Sequence, residues 1–488
     1  NIVAMKKMQT SNFSTNFRRI HDRCRRRLRR VRHVALNCVK ATSMTLGLIV
    51  FALGSPGQAW AANLPSGATV VHGVVDLQQQ GNDALRILQG SQSAIVNWQS
   101  FDIGAGALVD IVQPNIDSAL LSRIVGGNPS EILGSLNANG HLFLVNPNGI
   151  IFGKDSTVDV HALIASTLDI ADSAFLSGNI SFTGDSDAAV INLGSINAES
   201  FAALIGGKVS NDGSITAPGG DAALLAADAI LEVGEASGGK ITLDLSGLLG
   251  GTADSSGSID VASSTTQGGS ATILGEQVAV SGTVDASGAT GGGLVLIGGD
   301  YQGQNTNLAN AQTTNISGTI SADSFLNGDG GRVIIWADGV TTFTGDLSAT
   351  GSGSGGFAEV SGKNILNFEG SVDLSSASGV SGTLLLDPTN ITIKNVGSHT
   401  SISGSTTLEP SAAAGSVISL STLNTALASN NVIIQTSAGG GSETGTISVD
   451  SGLAITGSNN RTIIADGDIT MISGSINLGS GDLSVTAG

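Results

Sequence analysis

The chain has 488 residues with 69 glycines, 8 prolines and only 3% aromatic residues, yet its mean hydropathy is +0.24. Its apolar residues are Val, Ile, Leu and Ala in short alternating runs, a strand composition that excludes intrinsic disorder. Charge is segregated: residues 1–61 hold 12 of the 21 Lys and Arg but one of the 39 acids, so the remainder carries 9 bases against 38 acids, a net charge near −29. That balance excludes charge-driven binding to nucleic acid or an anionic membrane.

Residues 1–61 read as an extended secretory signal peptide. A basic segment from Arg18 to Lys40 precedes the apolar run Met44 to Leu53, and Ala59 and Ala61 form a small-x-small site with cleavage before Ala62. The apolar run of about ten residues is too short to cross about 30 Å of hydrocarbon, so no transmembrane segment is expected in the mature chain. Ahead of such a run, the Arg cluster serves as a cytoplasmic n-region rather than a nucleic-acid contact. Cys24 and Cys38 both fall within the leader, leaving an exported chain that forms no disulfides. The first residue is Asn and the last four, Val485 to Gly488, stop in mid-pattern, so the sequence reads as a piece of a longer protein with Met5 or Met8 as its start.

Ala62 to Asp117 is less repetitive and richer in large side chains, among them Leu85, Ile87, Leu88, Trp98 and Phe101. It is expected to cap the open end of a stacked core. From Arg123 to Gly153, short apolar runs alternate with Asn, Pro and Gly, ending in Asn146, Pro147, Asn148, Gly149 and Ile150. These residue types suit sharp corners between short strands.

Internal repeats then set the architecture. Val190 to Ala198 recurs 19 residues later as Val209 to Ala217. Glycine pairs followed by apolar strands recur at Gly268 and Gly269, Gly292 and Gly293, Gly330 and Gly331, and Gly355 and Gly356, with a last partner at Gly382. A repeat carrying two or three short strands predicts an all-β fold, a right-handed parallel β-helix or solenoid with an N-terminal cap. At about 22 residues per coil, the chain predicts on the order of 19 coils and a rod roughly 90 Å long. Ser419 to Leu427 has helical spacing at Leu420, Leu423 and Leu427, with Ser419 or Ser421 as N-cap.

The run from Asn97 to about Ala227 resembles the amino-terminal secretion domain of filamentous haemagglutinin-like exoproteins, the passenger half of two-partner secretion systems. The resemblance is carried by Asn97, Trp98, Phe101, Ile103, Gly104, Gly106 and Ala107, by Arg123 and Asn128 to Ser130, by Asn146 to Ile150, and by Ala165 to Leu168. A second motif of some relatives, Asn-Pro-Asn-Leu, is absent, and Asn128, Pro129 and Ser130 are not taken to replace it. The resemblance implies a two-partner secretion domain over 62–330, running on into β-helix repeats, with further repeats of a haemagglutinin-like stalk over 331–488. It implies a Gram-negative exoprotein that crosses the periplasm, leaves through an outer-membrane β-barrel transporter and acts as an adhesin at the cell surface on a host-cell or bacterial receptor. Asn146, Pro147, Asn148, Gly149 and Ile150 are the implied secretion motif. A contact-dependent toxin stalk and a haem- or iron-scavenging exoprotein are the alternatives, the latter with a binding loop at an irregular spacing such as 293 to 331.

Chemistry-bearing patterns are sparse. His141 and His161 lie about one coil apart and are expected to stack, without a metal or haem role, because no ligand cluster accompanies them. Asp329 among glycines is a single copy of what calcium-binding repeats use in tandem. No nucleophile elbow occurs, and Arg86, Arg123, Arg332 and Arg461 are too scattered for a lyase cleft. The chain is read as a non-enzyme without cofactor or metal.

Overall fold

The computed structural model describes residues 63–488 apart from 179, 228–230, 237–239, 245–249, 395–415, 438–443, 451–452 and 472. The expected leader, with Ala59, Ala61, Ala62 and both cysteines, lies outside the described residues.

The first strands are β1 (Thr69–His72), β2 (Val75–Gln80), β3 (Ala84–Gln89), β4 (Ser93–Trp98), β5 (Leu108–Val112), β6 (Ala119–Ile124), β7 (Ser130–Ile132), β8 (Ser135–Val145), β9 (Ile150–Phe152) and β10 (Thr157–Ser166). β1 and β2 run antiparallel to β4 and β3. From β3 onward the coil pairs in parallel: β3 with β5, β4 with β6, and both β5 and β6 with the long β8. The cap is therefore the short pair β1 and β2, which occupies the free edge of the first coil, while 84–112 already belongs to the coil. Leu64, Ala68 and Val75 close the end of the core, where Trp98 and Phe101 meet edge to face with centroids 5.4 Å apart.

Each coil contributes a strand to three faces. β8 and β10 bend across the edge between the first two faces, with a register break in their pairing at Val160 to Ala162. β7 and β9 begin the third face. The repeat spacings reappear as register: Val190 pairs with Val209, and Ser270, Leu294, Arg332, Phe357 and Thr383 follow one another up the second face. The result is a parallel β-helix.

Alternation places every second side chain inside. On the first face one unbroken column runs Leu85, Val109, Leu136, Val158, Ile196, Ile215, Ile259, Val284, Ile320, Leu347 and Val372, all buried. Each such side chain contributes about 1.5–3 kcal/mol by leaving water, so the stack is held by burial as well as by its ladders. The column stops at Val372 because the helix Leu420–Ser429 takes the next first-face place. Ser419 caps it by accepting from the Thr422 NH at 3.0 Å, and Leu423, Ala426 and Leu427 point into the core. Asn430 ties it to the Val372 carbonyl on one side, and Asn424 to the Ala454 carbonyl on the other.

Among the described residues the second face stacks 14 rungs, a rise of about 60 Å. That is shorter than 19 coils and 90 Å, because chain is spent outside the coil. Between Ser166 and Lys208, and again before Thr252, four strands (Asp169–Ile170, Ile180–Thr183, Leu231–Ala236 and Lys240–Asp244) form an antiparallel sheet, with a short helix Asp172–Ser177. Ile170, Phe175, Ile180 and Phe182 from this insert cover outward-facing Ile95, Leu121, Phe143, Ile164 and Leu225 of the second face, making an apolar layer separate from the coil's interior. Among the described residues no helix is long and apolar enough to cross a membrane.

Candidate functional site at the 146–150 corner

The chain turns from the second face to the third between Val145 and Ile150, and the five motif residues make that turn. Asn146 is fully buried. Its side-chain oxygen accepts from the Asn148 NH at 3.0 Å, and its backbone carbonyl accepts from the Gly149 NH at 3.0 Å, so the turn closes on Asn146 twice. Pro147 presets φ at the second position, and Gly149 sits at φ +116°, a conformation that side chains other than glycine rarely adopt. Ile150 then enters the core with no exposed surface.

The corner also clasps its neighbours. The Asn146 amide donates to the Asn128 carbonyl and to Ser130 Oγ, both at 3.0 Å, and the Asn148 amide donates to the Gly126 carbonyl at 2.8 Å. The Ser130 NH returns a bond to the Gly149 carbonyl at 3.0 Å. On the following rung, Ser186 Oγ donates to the Pro147 carbonyl at 2.6 Å. One uncharged corner thus joins three successive rungs at 126–130, 146–150 and 186–189, and its side chains pair with backbone groups of Gly126, Asn128 and Asn148 that the ladders leave free.

Gly126, Asn128, Ser130 and Ser186 are partners that the motif alone did not identify. Asn128 to Ser130 enter the sequence reading only through the resemblance, and their structural signal is that they stand one coil before Asn146 in a turn of similar composition.

Beside the corner, Arg123 reaches out of the second face to the insert. Its Nε contacts Asp169 Oδ1 at 2.8 Å, Nη1 contacts Asp172 Oδ1 at 2.7 Å, and Nη2 donates to the Ile170 carbonyl. Burial works against the charge of Arg123, but hydrogen bonds and Coulomb attraction from Asp169 and Asp172 outweigh it and hold the guanidinium pKa above its usual value. The motif itself carries no titratable or nucleophilic group. It can position, rigidify and be recognised.

The remaining sequence candidates stand apart. His141 and His161 stack with centroids 5.7 Å apart and planes 4° from parallel, and His161 Nδ1 lies 2.9 Å from Glu199 Oε2. Asp329 accepts from the Ser354 NH of the next rung at 2.7 Å. Arg86 pairs with Asp110 at 3.2 Å, and Arg461 is spent on the backbone carbonyls of Gly457, Asn477 and Leu478. Among the described residues no group of three or more His, Cys, Asp or Glu is arranged to hold a metal ion.

Residues 61–264 match the family model described as the TPS secretion domain. A heme/hemopexin-binding protein of Haemophilus influenzae strain Rd is 37% identical over 169 residues, and a second H. influenzae protein of the same name is 37% identical over 129. These alignments cover 33% and 26% of this chain but only 18% and 14% of those proteins, so the chain spans a small part of the curated relatives it matches. The crystal structure of the HMW1 secretion domain from H. influenzae shares the fold, with a TM-score of 0.59 at 22% identity over 86% of this chain and all of that one.

Proposed function

We propose, from the match of residues 61–264 to the TPS secretion domain, that this protein is the exported partner of a two-partner system whose outer-membrane β-barrel transporter reads the 146–150 corner. On this reading the chain is a secreted exoprotein that crosses the outer membrane with a dedicated transporter. The corner is the part of it suited to recognition, because Pro147 is presented at the surface on a turn fixed by buried Asn146 and by both neighbouring rungs. Once outside, each added rung buries apolar surface and makes backward movement costly, so folding biases export. Replacing Asn146 and Asn148 with Ala and measuring the protein in the medium, with and without its transporter, tests the reading. Unchanged secretion overturns the reading, and a fall to the transporter-free level supports it where the fall exceeds what the variants' loss of stability accounts for.

The mature role we propose is non-enzymatic ligand binding at the cell surface, with the β-helix acting as the stalk of an adhesin on a host or bacterial receptor. A second reading has its own support: both curated relatives are named for binding heme and hemopexin. Titrating the secreted protein with haem and with haem-loaded hemopexin, beside a cell-adherence assay, separates the two.

A further inference from the structure

Between Leu294–Ile297 and Thr313–Ile316 the chain leaves the coil and lays a strap, residues 298–311, back over the outer side of the second face. This is the irregular spacing at which a projecting loop was expected, but the strap is packed down. Beneath it Leu296, Ile334 and Trp336 form an apolar shelf, joined by Leu294 and Phe357 and covered by Leu308. Asn310 holds the strap's path, its amide donating to the Gly303 carbonyl at 3.0 Å and to Asp338 Oδ1 at 3.1 Å.

The strap is pinned at one residue. Gln302, with φ 53° and ψ 20°, is the one non-glycine residue at positive φ among the described residues. Its NH donates to both carboxyl oxygens of Glu359, at 3.0 and 3.3 Å, and its side-chain amide donates to Asp387 Oδ2 at 2.9 Å. Glu359 has no exposed surface and Asp387 is 4% exposed. Two carboxyl groups are thus sealed under a strap whose pinning residue is in a strained conformation.

We propose that the strap 298–311 is a pH-operated cover, closed over Glu359 while it is buried as the neutral acid and released when the cost of burying its ionised form exceeds the hold of the Gln302 pin, uncovering the shelf of Leu296, Ile334 and Trp336. Every charged group facing Glu359 enters the balance. Desolvation is the largest influence and raises Glu359, the bonds from the Gln302 NH and the Ser361 hydroxyl work against it, Asp387 adds to it and Arg332 opposes it, which together leave Glu359 at about 8. Arg332 is engaged between the Tyr301 and Phe357 rings, its guanidinium carbon 5.1 Å from each centroid, and is no ion-pair partner at contact distance. The neutral Tyr301 phenol is favoured by burial and by the Glu359 and Asp387 charges. Asp387 is raised by its own burial, against bonds from Gln302 and Ser437, with Asp466 raising it further. Asp300 accepts from the Tyr301 NH and Asn305, and Asp338 from Asn310 and Trp336, so both are bound within the strap's own framework.

The sign follows from linkage. Under the closed strap Glu359 keeps its proton up to about pH 8, and in water it loses it near the ordinary value of 4.5. Between those limits opening releases one proton, so closure is firmest in acid, and the opening equilibrium rises about tenfold per pH unit before levelling off above the upper limit.

The test is amide exchange of residues 302–310 in the intact protein between pH 5 and 9, corrected for intrinsic exchange chemistry, with acrylamide quenching of Trp336 alongside; Trp98 is buried in the coil and is the internal reference. Protection and quenching resistance should fall by about tenfold per unit as pH rises from 5 to 8. Glu359→Gln, a neutral shape-match for the protonated acid, should abolish that dependence and leave the strap closed throughout. A flat profile in the parent protein, or the same slope in E359Q, overturns the proposal. Should E359Q fail to fold, Asp387→Asn serves: removing a charge that raises Glu359 must move the upper limit to lower pH, and an unmoved limit counts against it.

Discussion

The side-chain amide of Asn192 donates to the carboxamide oxygen of Asn211, one rung further on, at 2.8 Å, with both residues fully buried. They stand in an interior column of the third face that runs Phe152, Asn192, Asn211, Ser255, Val280, Ile316, Phe343 and Phe368. Asn192 also donates to the Ser214 carbonyl at 3.1 Å and accepts from the Gly194 NH at 3.1 Å, and Asn211 repeats the pattern toward Ser255 and Ser258. The polar stretch is a stack of corner braces inside an otherwise apolar column, tolerated because its donors and acceptors are used.

Asn192→Leu keeps the branched shape and removes the brace. The Gly194 NH and Ser214 carbonyl then lose their side-chain partner, at a cost of about 2–3 kcal/mol. Because a solenoid opens locally, the loss should appear as faster amide exchange at Gly194 and in the neighbouring corner rather than as a uniform shift. Unchanged exchange at Gly194 would show that the brace contributes nothing.

The glycine pairs explain why the repeat was visible in the sequence. A Cβ on Gly293 would lie 2.0 Å from the Gly269 carbonyl oxygen, and one on Gly356 would lie 2.2 Å from that of Gly331. Those carbonyls accept from the NH groups of Leu294 and Phe357, so the neighbouring backbone cannot withdraw without breaking the ladder. Gly293→Ala should therefore lower stability by about 3 kcal/mol or more, the scale of an unrelieved overpacking. Gly127→Ala, whose Cβ meets nothing within 4 Å, should be neutral within about 0.5 kcal/mol. Comparable denaturation midpoints for the two variants would contradict this account.

That steric demand recurs once per coil, which is why corner glycines and inward Val, Ile and Leu announce a parallel stack from sequence alone. The insert of 169–183 was not legible for a related reason. Ile170, Phe175 and Phe182 sit in short apolar runs indistinguishable from another coil, and nothing local says that they face the outside of the second face. Treating such segments as coil inflated the expected number of rungs. The step from Ala162 to its partner Phe201 and the step from Asp221 to Ser270 each contain chain that never enters the stack. The corner motif itself was legible, while its partners Gly126, Asn128 and Ser186 belong to other rungs and become neighbours only through register.

Arg123 is the charged link between coil and insert. Arg123→Met preserves the apolar stem but leaves Asp169 and Asp172 without their partner and the Ile170 carbonyl without its donor. Asp169 and Asp172 are both substantially exposed, so water recovers part of the loss and the expected cost is about 1–2 kcal/mol. Limited proteolysis should cut within 171–187 first, with the coil rungs retaining their protection. Cleavage appearing first in the coil would mean that Arg123 supports the stack itself.

Asn146 and Asn148 allow the structural and recognition roles of the corner to be separated. Asn146→Ala removes two donated bonds and the acceptor that closes the turn, made by a side chain with no exposed surface, and should cost about 2–3 kcal/mol. Asn148→Ala removes one bond to the Gly126 carbonyl and one to Asn146, from a half-buried position, and should cost about 1 kcal/mol. If the corner matters to export only by stabilising the fold, secretion of the two variants should track those costs, and a stabilising change elsewhere should rescue both. If the transporter reads the corner, Asn148→Ala should reduce secretion as strongly as Asn146→Ala despite its smaller stability loss. Pulse-chase secretion measured beside local amide exchange at Gly149 distinguishes the two outcomes, because recognition is lost without a matching loss of protection.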